Sequence, residues 1–150
     1  MKYEQLKLSN QICFPAYAAS RLIIREYKPY LEKLGITYPQ YLVLLVLWET
    51  NGVTVNEIAR RLILNTNTIT PLLKRMETDG IISRKQSESD ERKIIVKLTV
   101  KGKVMMRKAS KIPDKLVKGL VNKGITVDEL VELRNMLNPF LDSLLEKNKS

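Results

Sequence analysis

The most reactive side chain in this 150-residue sequence belongs to its single cysteine, Cys13. Pro15 is tolerated in the first turn of a helix and is costly deeper in it, so a helix should begin near Gln11 or Ile12. Cys13 then lies in the first turn, at the positive end of the helix dipole, which favours a thiolate. Peroxides attack a thiolate and give a sulfenic acid. The residues alone leave two interpretations of Cys13, a redox-active thiol and a small buried hydrophobic side chain.

Other reactive groups are few. The chain has no histidine, which excludes Ser-His-Asp and Cys-His catalytic arrangements and the H-E-x-x-H zinc site. Neither G-x-x-x-x-G-K-[ST] nor G-x-G-x-x-G occurs. One cysteine can form no intrachain disulfide, Cys-based zinc site or iron–sulfur cluster. We therefore predict that the protein is not an enzyme and needs no metal or cofactor.

Residues 54–99 carry the main group of candidate binding residues, and their pattern predicts two helices followed by a hairpin. Thr54 and Glu57 have the spacing of a capping box at the start of the first helix. The second helix has an apolar face at i, i+3, i+4, i+7 spacing, formed by Ile69, Leu72, Leu73 and Met76. Its opposite face carries Asn67, Thr70, Pro71 and Lys74. The two short hydrogen-bonding side chains and the cation among them suit a DNA major groove.

After Gly80, residues 81–85 and 93–98 alternate as two β-strands around a polar turn at 87–90. Cations crowd the edges of this turn: Arg84, Lys85, Arg92 and Lys93. The pattern fits a DNA-binding helix pair with a hairpin, and it also fits an ordinary helical pair whose charges are solvated.

The charge balance favours a polyanionic partner. The net charge is +10 and the pI about 9.7, and residues 101–125 alone carry eight Lys or Arg against one acidic residue. The N-terminus has no apolar signal region, and the longest apolar run, Tyr41–Trp48, is far shorter than the roughly 20 residues of a membrane span. We therefore expect a cytoplasmic protein without a membrane partner.

Long amphipathic helices flank this segment. The first should end near Leu34, a helix from Val100 to Val121 should be kinked or interrupted at Pro113, and a last helix should follow a capping box at Thr126 and end near Glu146. So small a domain cannot bury all of their apolar faces. A two-fold homodimer would cover them and present two DNA-binding segments to an inverted repeat.

Three stretches resemble the winged helix-turn-helix of the MarR family of bacterial transcription regulators: ITYPQYLVLLVLWE, TITPLLKRMETDGII and SESDERKIIVKLTVKGK. The resemblance implies a mainly α fold with a small β wing, in which residues 1–150 form a single MarR-type domain. Residues 36–100 would be the DNA-binding winged helix-turn-helix, and residues 1–35 and 101–150 the dimerisation helices. It also starts the second helix of the motif near Asn65, whereas local rules would start it at Thr70-Pro71.

The stretch QICFPAYAASRLIIREYKPYLEKLGITYPQYL resembles the organic-hydroperoxide sensors of that family, the OhrR group. In that group the N-terminal cysteine is the sensor, and two tyrosines that match Tyr27 and Tyr38 hydrogen-bond to it in the reduced protein. Cys13 and Tyr27 are 14 residues apart on one predicted helix, a distance of roughly 21 Å. They can therefore meet only across a dimer.

The resemblance also implies DNA contacts. Residues 65–67 replace the group's usual Asp-Ser/Thr-Gly, which touches or supports the DNA backbone, and Pro15 replaces an aliphatic residue. Asp90 and Arg92 match the Asp-x-Arg of the wing, in which the Asp orients an Arg that enters the minor groove. The predicted DNA-binding residues are Asn65, Thr66, Asn67, Thr68, Thr70, Lys74, Arg75, Arg84, Asp90, Arg92 and Lys93.

Together these features predict a homodimeric repressor that binds an inverted repeat in double-stranded DNA and leaves it when an organic hydroperoxide oxidises Cys13. With no second cysteine, the sulfenic acid would form a mixed disulfide with a small thiol or be over-oxidised. Two alternatives remain at this point. One is a MarR-type regulator controlled by a small lipophilic or phenolic ligand, with Cys13 inert. The other is a helical adaptor whose basic face binds acidic proteins or RNA.

Overall fold

A computed structural model describes residues 2–147. The fold is mainly helical with one small antiparallel sheet, as predicted. Two short 3-10 turns, Glu4–Leu6 and Leu8–Asn10, precede the first α-helix. The helices are α1 (Cys13–Glu32), α2 (Tyr38–Glu49), α3 (Val55–Leu62), α4 (Thr66–Thr78), α5 (Val100–Ala109), α6 (Ile112–Asn122) and α7 (Val127–Lys147), and the strands are β1 (Val53–Thr54), β2 (Ile82–Gln86) and β3 (Ile94–Leu98).

The chain forms two compact units, the first ending at Ile112 and the second beginning at Pro113. In the first unit α2 is the central element. It is apolar nearly all round, and Val43, Leu44 and Leu47 are fully buried. The predicted apolar face of α4 is also buried in this core, together with Ile58 of α3.

Helix α1 begins at Cys13, so the cysteine lies in the first turn as predicted. The helix ends at Glu32, two residues before the predicted end, and Gly35 follows with φ +70°. Helix α2 then starts with a complete capping box between Thr37 and Gln40.

Helix α4 starts at Thr66 with Asn65 as N-cap, where the resemblance implied and not at Thr70-Pro71. The Asn65 side-chain oxygen accepts a hydrogen bond of 2.9 Å from the backbone N–H of Asn67. Pro71 lies inside the helix and removes one of its hydrogen bonds. Burial of the apolar face compensates for that loss, which local sequence rules do not take into account.

The start of α3 differs from its prediction in one respect. The Thr54 hydroxyl accepts a hydrogen bond from the backbone N–H of Glu57 at 3.1 Å, which is one half of a capping box. The Glu57 carboxylate does not form the other half, because it pairs instead with Arg60 one turn further on.

The sheet has the order β1-β3-β2. Strands β2 and β3 pair from Ile82 opposite Leu98 to Gln86 opposite Ile94, one residue later at their starts than predicted. We call residues 82–98, from β2 through the turn to β3, the wing. Strand β1 was not predicted, because two residues are too short to leave an alternating pattern.

The start of α5 is fixed against the end of α4. The Thr99 hydroxyl donates to the carbonyls of Gly80 and Ile81, at 2.6 and 2.9 Å. A Cβ on Gly102 would lie 2.4 Å from the Ile81 carbonyl oxygen, so only glycine fits here. The Gly102 carbonyl in turn accepts a 3.0 Å hydrogen bond from the Trp48 indole.

The helix predicted for residues 100–121 is interrupted, as Pro113 suggested. Ser110 and Lys111 separate α5 from α6, and Pro113 takes the second position of α6, where its missing N–H has no helical partner. In the second unit, Thr126 and Glu129 form the predicted capping box with hydrogen bonds of 2.8 and 3.1 Å. The apolar face of α7 is exposed in the single chain, with Phe140 55% and Met136 74% accessible.

Candidate DNA interface and thiol site

The outer face of α4 presents the predicted contact residues to solvent. Asn65, Thr66, Asn67, Thr68, Lys74 and Arg75 are exposed. Thr70 is half-buried, and its hydroxyl donates to the Thr66 carbonyl at 2.9 Å. The N-terminal half of this helix therefore offers short hydrogen-bonding groups, and the next turn offers two cations, which suits a helix entering a major groove.

The wing turn holds Asp90 and Arg92 together. Asp90 Oδ1 accepts hydrogen bonds from the backbone N–H of Arg92 at 3.1 Å and from its Nε at 3.2 Å. These contacts lower the pKa of the Asp90 carboxyl, chiefly through the Arg92 side-chain hydrogen bond. The Arg92 side chain is otherwise 90% exposed, so it projects from the wing in an orientation set by Asp90.

Arg84 is placed differently from the other candidate cations. Its side chain is only 16% exposed and pairs with Glu77 of α4 at 3.1 Å. Its backbone N–H also donates to the Glu77 carboxylate, at 2.9 Å. The side-chain hydrogen bond is the largest cause of the lowered pKa of Glu77. Arg84 Nε is buried and has no hydrogen-bond partner.

A cleft of about 200 Å³ separates α4 from the wing. We call it the wing cleft. It brings together five of the predicted DNA-binding residues with the start of α3, and its lining residues are Thr54, Val55, Asn56, Thr66, Thr70, Arg84, Arg92, Lys93 and Ile94.

Cys13 is exposed at the start of α1 and forms no disulfide. Its neighbours Ile12, Phe14 and Tyr17 are 86%, 39% and 60% accessible in the single chain. An exposed apolar patch of this kind marks an interaction surface.

Tyr27 and Tyr38 are brought side by side from α1 and α2, with ring centroids 5.0 Å apart. Tyr41 lies 5.8 Å from Tyr27, and Trp48 lies 6.3 Å from Tyr41. Burial, with a smaller contribution from the neighbouring tyrosines, raises the pKa of Tyr27 to about 12. Burial also raises the pKa of Tyr38 and of Tyr41. All three phenols therefore keep their protons at neutral pH and remain hydrogen-bond donors.

Sequence reasoning missed Tyr41, Trp48 and Glu77 as parts of these sites. Tyr41 follows Tyr38 at i+3, so helical spacing could have placed both on one face. The pairing of Glu77 with Arg84 depends on how the wing folds back onto α4, which leaves no local signal.

A cavity of about 380 Å³ lies between α1 and the start of α2, beside Tyr38. Its floor is apolar, with Ile24, Leu31 and Ile36, and its rim carries Arg21, Arg25, Lys28 and Glu32.

Among residues 2–147, none of the helices combines the length and the apolar composition that a membrane-spanning helix requires.

The fold and the exposed polar helix beside a basic wing define the class of protein, a winged-helix DNA-binding regulator. The family profile described as transcriptional regulator SarA/Rot matches residues 25–109. The chain is 44% identical over 147 residues to the organic hydroperoxide resistance transcriptional regulator of Bacillus subtilis strain 168, covering 98% of each.

Solved structures of AbfR of Staphylococcus epidermidis are also similar. Reduced AbfR bound to DNA superposes with a TM-score of 0.75 at 41% identity, over 97% of this chain and 99% of that one. Over-oxidised AbfR bound to DNA gives 0.71 at 40% identity, over 96% and 99%. The chain therefore belongs to the SarA/Rot and MarR-type family of transcriptional regulators, and it is a DNA-binding transcriptional regulator.

Proposed function

We propose that this regulator is a homodimeric repressor that leaves its operator when an organic hydroperoxide oxidises Cys13. The observation that carries the proposal is the pairing of Tyr27 and Tyr38, whose ring centroids are 5.0 Å apart. The cysteine of the same chain lies too far away for either phenol to form a hydrogen bond with it. Cys13 and Tyr27 both lie on α1, roughly 21 Å apart along the helix. The tyrosine pair thus suits the Cys13 of a second subunit.

Exposed apolar surface supports the dimer. It lies at the start of α1 and along the apolar face of α7, where Leu137, Phe140 and Leu144 are 40–55% accessible in the single chain. We propose that residues 1–35 and 101–150 supply the dimerisation helices of a single MarR-type domain and that residues 36–100 bind DNA. An inverted-repeat operator with half-sites about one helical turn apart matches such a dimer. Since its operator lies on bacterial DNA, we place its action in the cytoplasm, and we assign it no enzymatic activity.

The chemistry proceeds in two steps. The Cys13 thiolate attacks the terminal peroxide oxygen and the O–O bond breaks, which gives a sulfenic acid and an alkoxide. The alkoxide takes a proton from water and leaves as the alcohol. A small thiol then condenses with the sulfenic acid to a mixed disulfide with loss of water. Before oxidation, the protonated phenols of Tyr27 and Tyr38 can donate hydrogen bonds to the thiolate. The bulky adduct displaces these bonds and forces the dimer helices to shift.

The two DNA-binding segments then lose the spacing that fits both half-sites. A rigid-body change that costs about 3–4 kcal/mol weakens binding several-hundred-fold. The relatives support an oxidation signal, because one is named for organic hydroperoxide resistance and another has been solved on DNA in its reduced form.

The test compares wild type with Cys13→Ser on a palindromic duplex obtained by in vitro selection from random DNA. Both proteins should shift the duplex when reduced. After cumene hydroperoxide and a small thiol, only wild type should release it. Equal release by both proteins, or by neither, would remove Cys13 as the switch.

One observation favours a second candidate function, control by a small ligand with Cys13 inert. The cavity beside Tyr38 has the size of a ligand site, an apolar floor and a basic rim, which suits a lipophilic or phenolic anion. If such a compound released DNA from wild type and Cys13→Ser alike, while hydroperoxide released neither, this function would replace the first.

A further inference from the structure

The wing cleft contains hydrogen-bond donors that have no role in the proposed oxidation switch. Asn56 is exposed at the second position of α3, where a backbone N–H has no partner inside the helix. The side chains of Thr66 and Lys93 are also exposed at this cleft. The Thr70 hydroxyl already donates to the Thr66 carbonyl, whereas the Thr54 hydroxyl accepts from the Glu57 N–H and keeps its own proton. The exposed side chains with free donors are therefore the Asn56 amide, the Thr66 hydroxyl and the Lys93 ammonium.

The path of the DNA strand follows from the position of this cleft. If α4 enters a major groove and Arg92 enters the neighbouring minor groove, one sugar–phosphate strand separates the two. That strand must pass between α4 and the wing, and the wing cleft lies there. Phosphate oxygens accept hydrogen bonds from side-chain amides, hydroxyls, cations and the N-termini of helices.

Arg84 lines the same cleft but is unsuited to donate to a phosphate. The carboxylate of Glu77 balances the charge of Arg84 through the 3.1 Å contact, and the Nε of Arg84 is buried. The pair joins β2 of the wing to α4 through both the backbone and the side chain of Arg84. Such a connection fixes the distance between the two walls of the cleft.

We propose that the wing cleft binds one phosphodiester of the operator, with Asn56 and Lys93 as donors, and that the Arg84–Glu77 pair positions the wing for it. The inference rests on the proposed placement of α4 and the wing on DNA. It gives Asn56 a role that the sequence did not suggest, and it makes Arg84 a positioning residue in place of the direct contact predicted for it.

The first experiment replaces single phosphates of the selected duplex with uncharged methylphosphonates, one position at a time. One position per half-site, between the major-groove and minor-groove contacts, should weaken binding of wild type about tenfold, the value of a hydrogen bond to a charged group. Asn56→Ala should bind the unmodified duplex about tenfold more weakly. It should be less sensitive than wild type to that one position, where Lys93 alone would still contact the phosphate. Lys93→Gln should lower the salt slope by about one unit.

The second experiment tests the positioning role. Removing the negative charge of Glu77 should strengthen DNA binding if charge alone mattered. If the pair positions the wing, Glu77→Ala and Arg84→Gln should each weaken binding, the double variant should be no weaker than either, and the salt slope should stay unchanged. The control is Asp79→Ala, which removes an exposed charge two residues away without touching the wing.

Three results would overturn the inference: Asn56→Ala as sensitive as wild type to every methylphosphonate, tighter binding by Glu77→Ala, or a salt slope reduced in Arg84→Gln. If α4 and the wing did not lie on DNA as proposed, Lys74→Ala and Arg92→Ala would also leave the affinity for DNA unchanged. That result distinguishes a failure of the proposed DNA-binding surface from a failure of this inference. Asn56 is exposed, so its variant should fold, and thermal melting verifies this.

Discussion

At the scale of single residues, the contact between Asp90 and Arg92 determines how the wing meets DNA. The Asp90 carboxylate accepts from Arg92 Nε at 3.2 Å and from its second terminal nitrogen, Nη2, at 3.5 Å, and these two hydrogen bonds hold an otherwise exposed guanidinium in one orientation. A side chain held in this way loses less conformational entropy when it enters a narrow groove. Asp90 therefore acts on DNA through Arg92.

Arg92→Ala should cost about 1–3 kcal/mol of binding free energy in a fluorescence-anisotropy titration. Asp90→Ala should cost less and leave the salt slope unchanged, since no cation is lost. Lys74→Ala is the comparison, because loss of a phosphate contact should weaken all duplexes alike and reduce the salt slope by about one unit. If neither Arg92→Ala nor Lys74→Ala changed affinity, α4 and the wing would not be the DNA-binding surface.

Tyr27 gives a pH dependence whose sign follows from its environment. Burial raises its pKa from 10.0 to about 12, so the fold disfavours the tyrosinate. The stabilising effect of the neutral phenol is complete below pH 10 and is lost as the pH rises from 10 towards 12. Melting temperature should fall over that range in wild type and fall less in Tyr27→Phe. Tyr3→Phe, at an exposed tyrosine, is the control and should follow wild type.

At the scale of elements, the contact between the start of α5 and the segment that follows α4 depends on one glycine. A Cβ on Gly102 would overlap the Ile81 carbonyl and disturb the hydrogen bond from Trp48. Gly102→Ala should therefore lower the unfolding free energy by about 1–3 kcal/mol, as overpacking usually does. Gly119→Ala in α6 is the matched control. A Cβ there has open space, so the change should stabilise by about 0.5–1 kcal/mol. Equal effects in urea denaturation would contradict this assignment.

The elements also show what could be predicted from sequence. Apolar spacing and capping residues gave the positions of the helices, because both act within a few residues along the chain. Three-dimensional packing decided the rest. Pro71 is tolerated inside α4 because the other face is buried, and Glu57 turns to Arg60 instead of completing a capping box. Local rules alone placed the start of α4 at Thr70, and the family resemblance placed it at Asn65.

In the candidate sites, too, some features were predicted from the sequence and others depend on three-dimensional packing. The exposed face of α4 and the first-turn position of Cys13 were predicted from short sequence patterns, and the contact of Asp90 with Arg92 was predicted from the family resemblance. Helical spacing could have placed Tyr41 on the face of α2 that carries Tyr38, whereas the contact of Tyr41 with Tyr27 of α1 and the burial of Arg84 against Glu77 join different elements. Sequence spacing carries no information about contacts between elements. The meeting of Cys13 with Tyr27 and Tyr38 needs a second subunit and stays a prediction.

At the scale of the whole molecule, the exposed apolar faces predict a dimer that does not separate into folded monomers. Sedimentation at micromolar concentration should give twice the mass of one chain. Phe140→Asp on α7 would place a charge on the exposed apolar face and should weaken association. Ser89→Asp adds the same single negative charge at an exposed position of the wing turn, outside the proposed dimerisation helices, and is the control. A well-folded wild-type monomer at that concentration would contradict the proposed dimer.

The oxidation state of Cys13 should decide whether this dimer stays on DNA. A sulfinate or sulfonate is small and anionic, so it can still accept hydrogen bonds from the neutral Tyr27 and Tyr38. A thiol adduct is bulky and uncharged at sulfur, and it cannot. We therefore expect excess hydroperoxide without thiol to leave the protein bound, whereas hydroperoxide with thiol releases it.

Fluorescence anisotropy on protein whose oxidation state is verified by mass spectrometry measures both outcomes. Cys13→Asp places a carboxylate where the sulfinate would be, so it should bind DNA and ignore hydroperoxide. If the sulfonate form and Cys13→Asp both released the duplex, a small anion at this position would already be enough to move the dimer helices. The bulk of the adduct would then not be required for release.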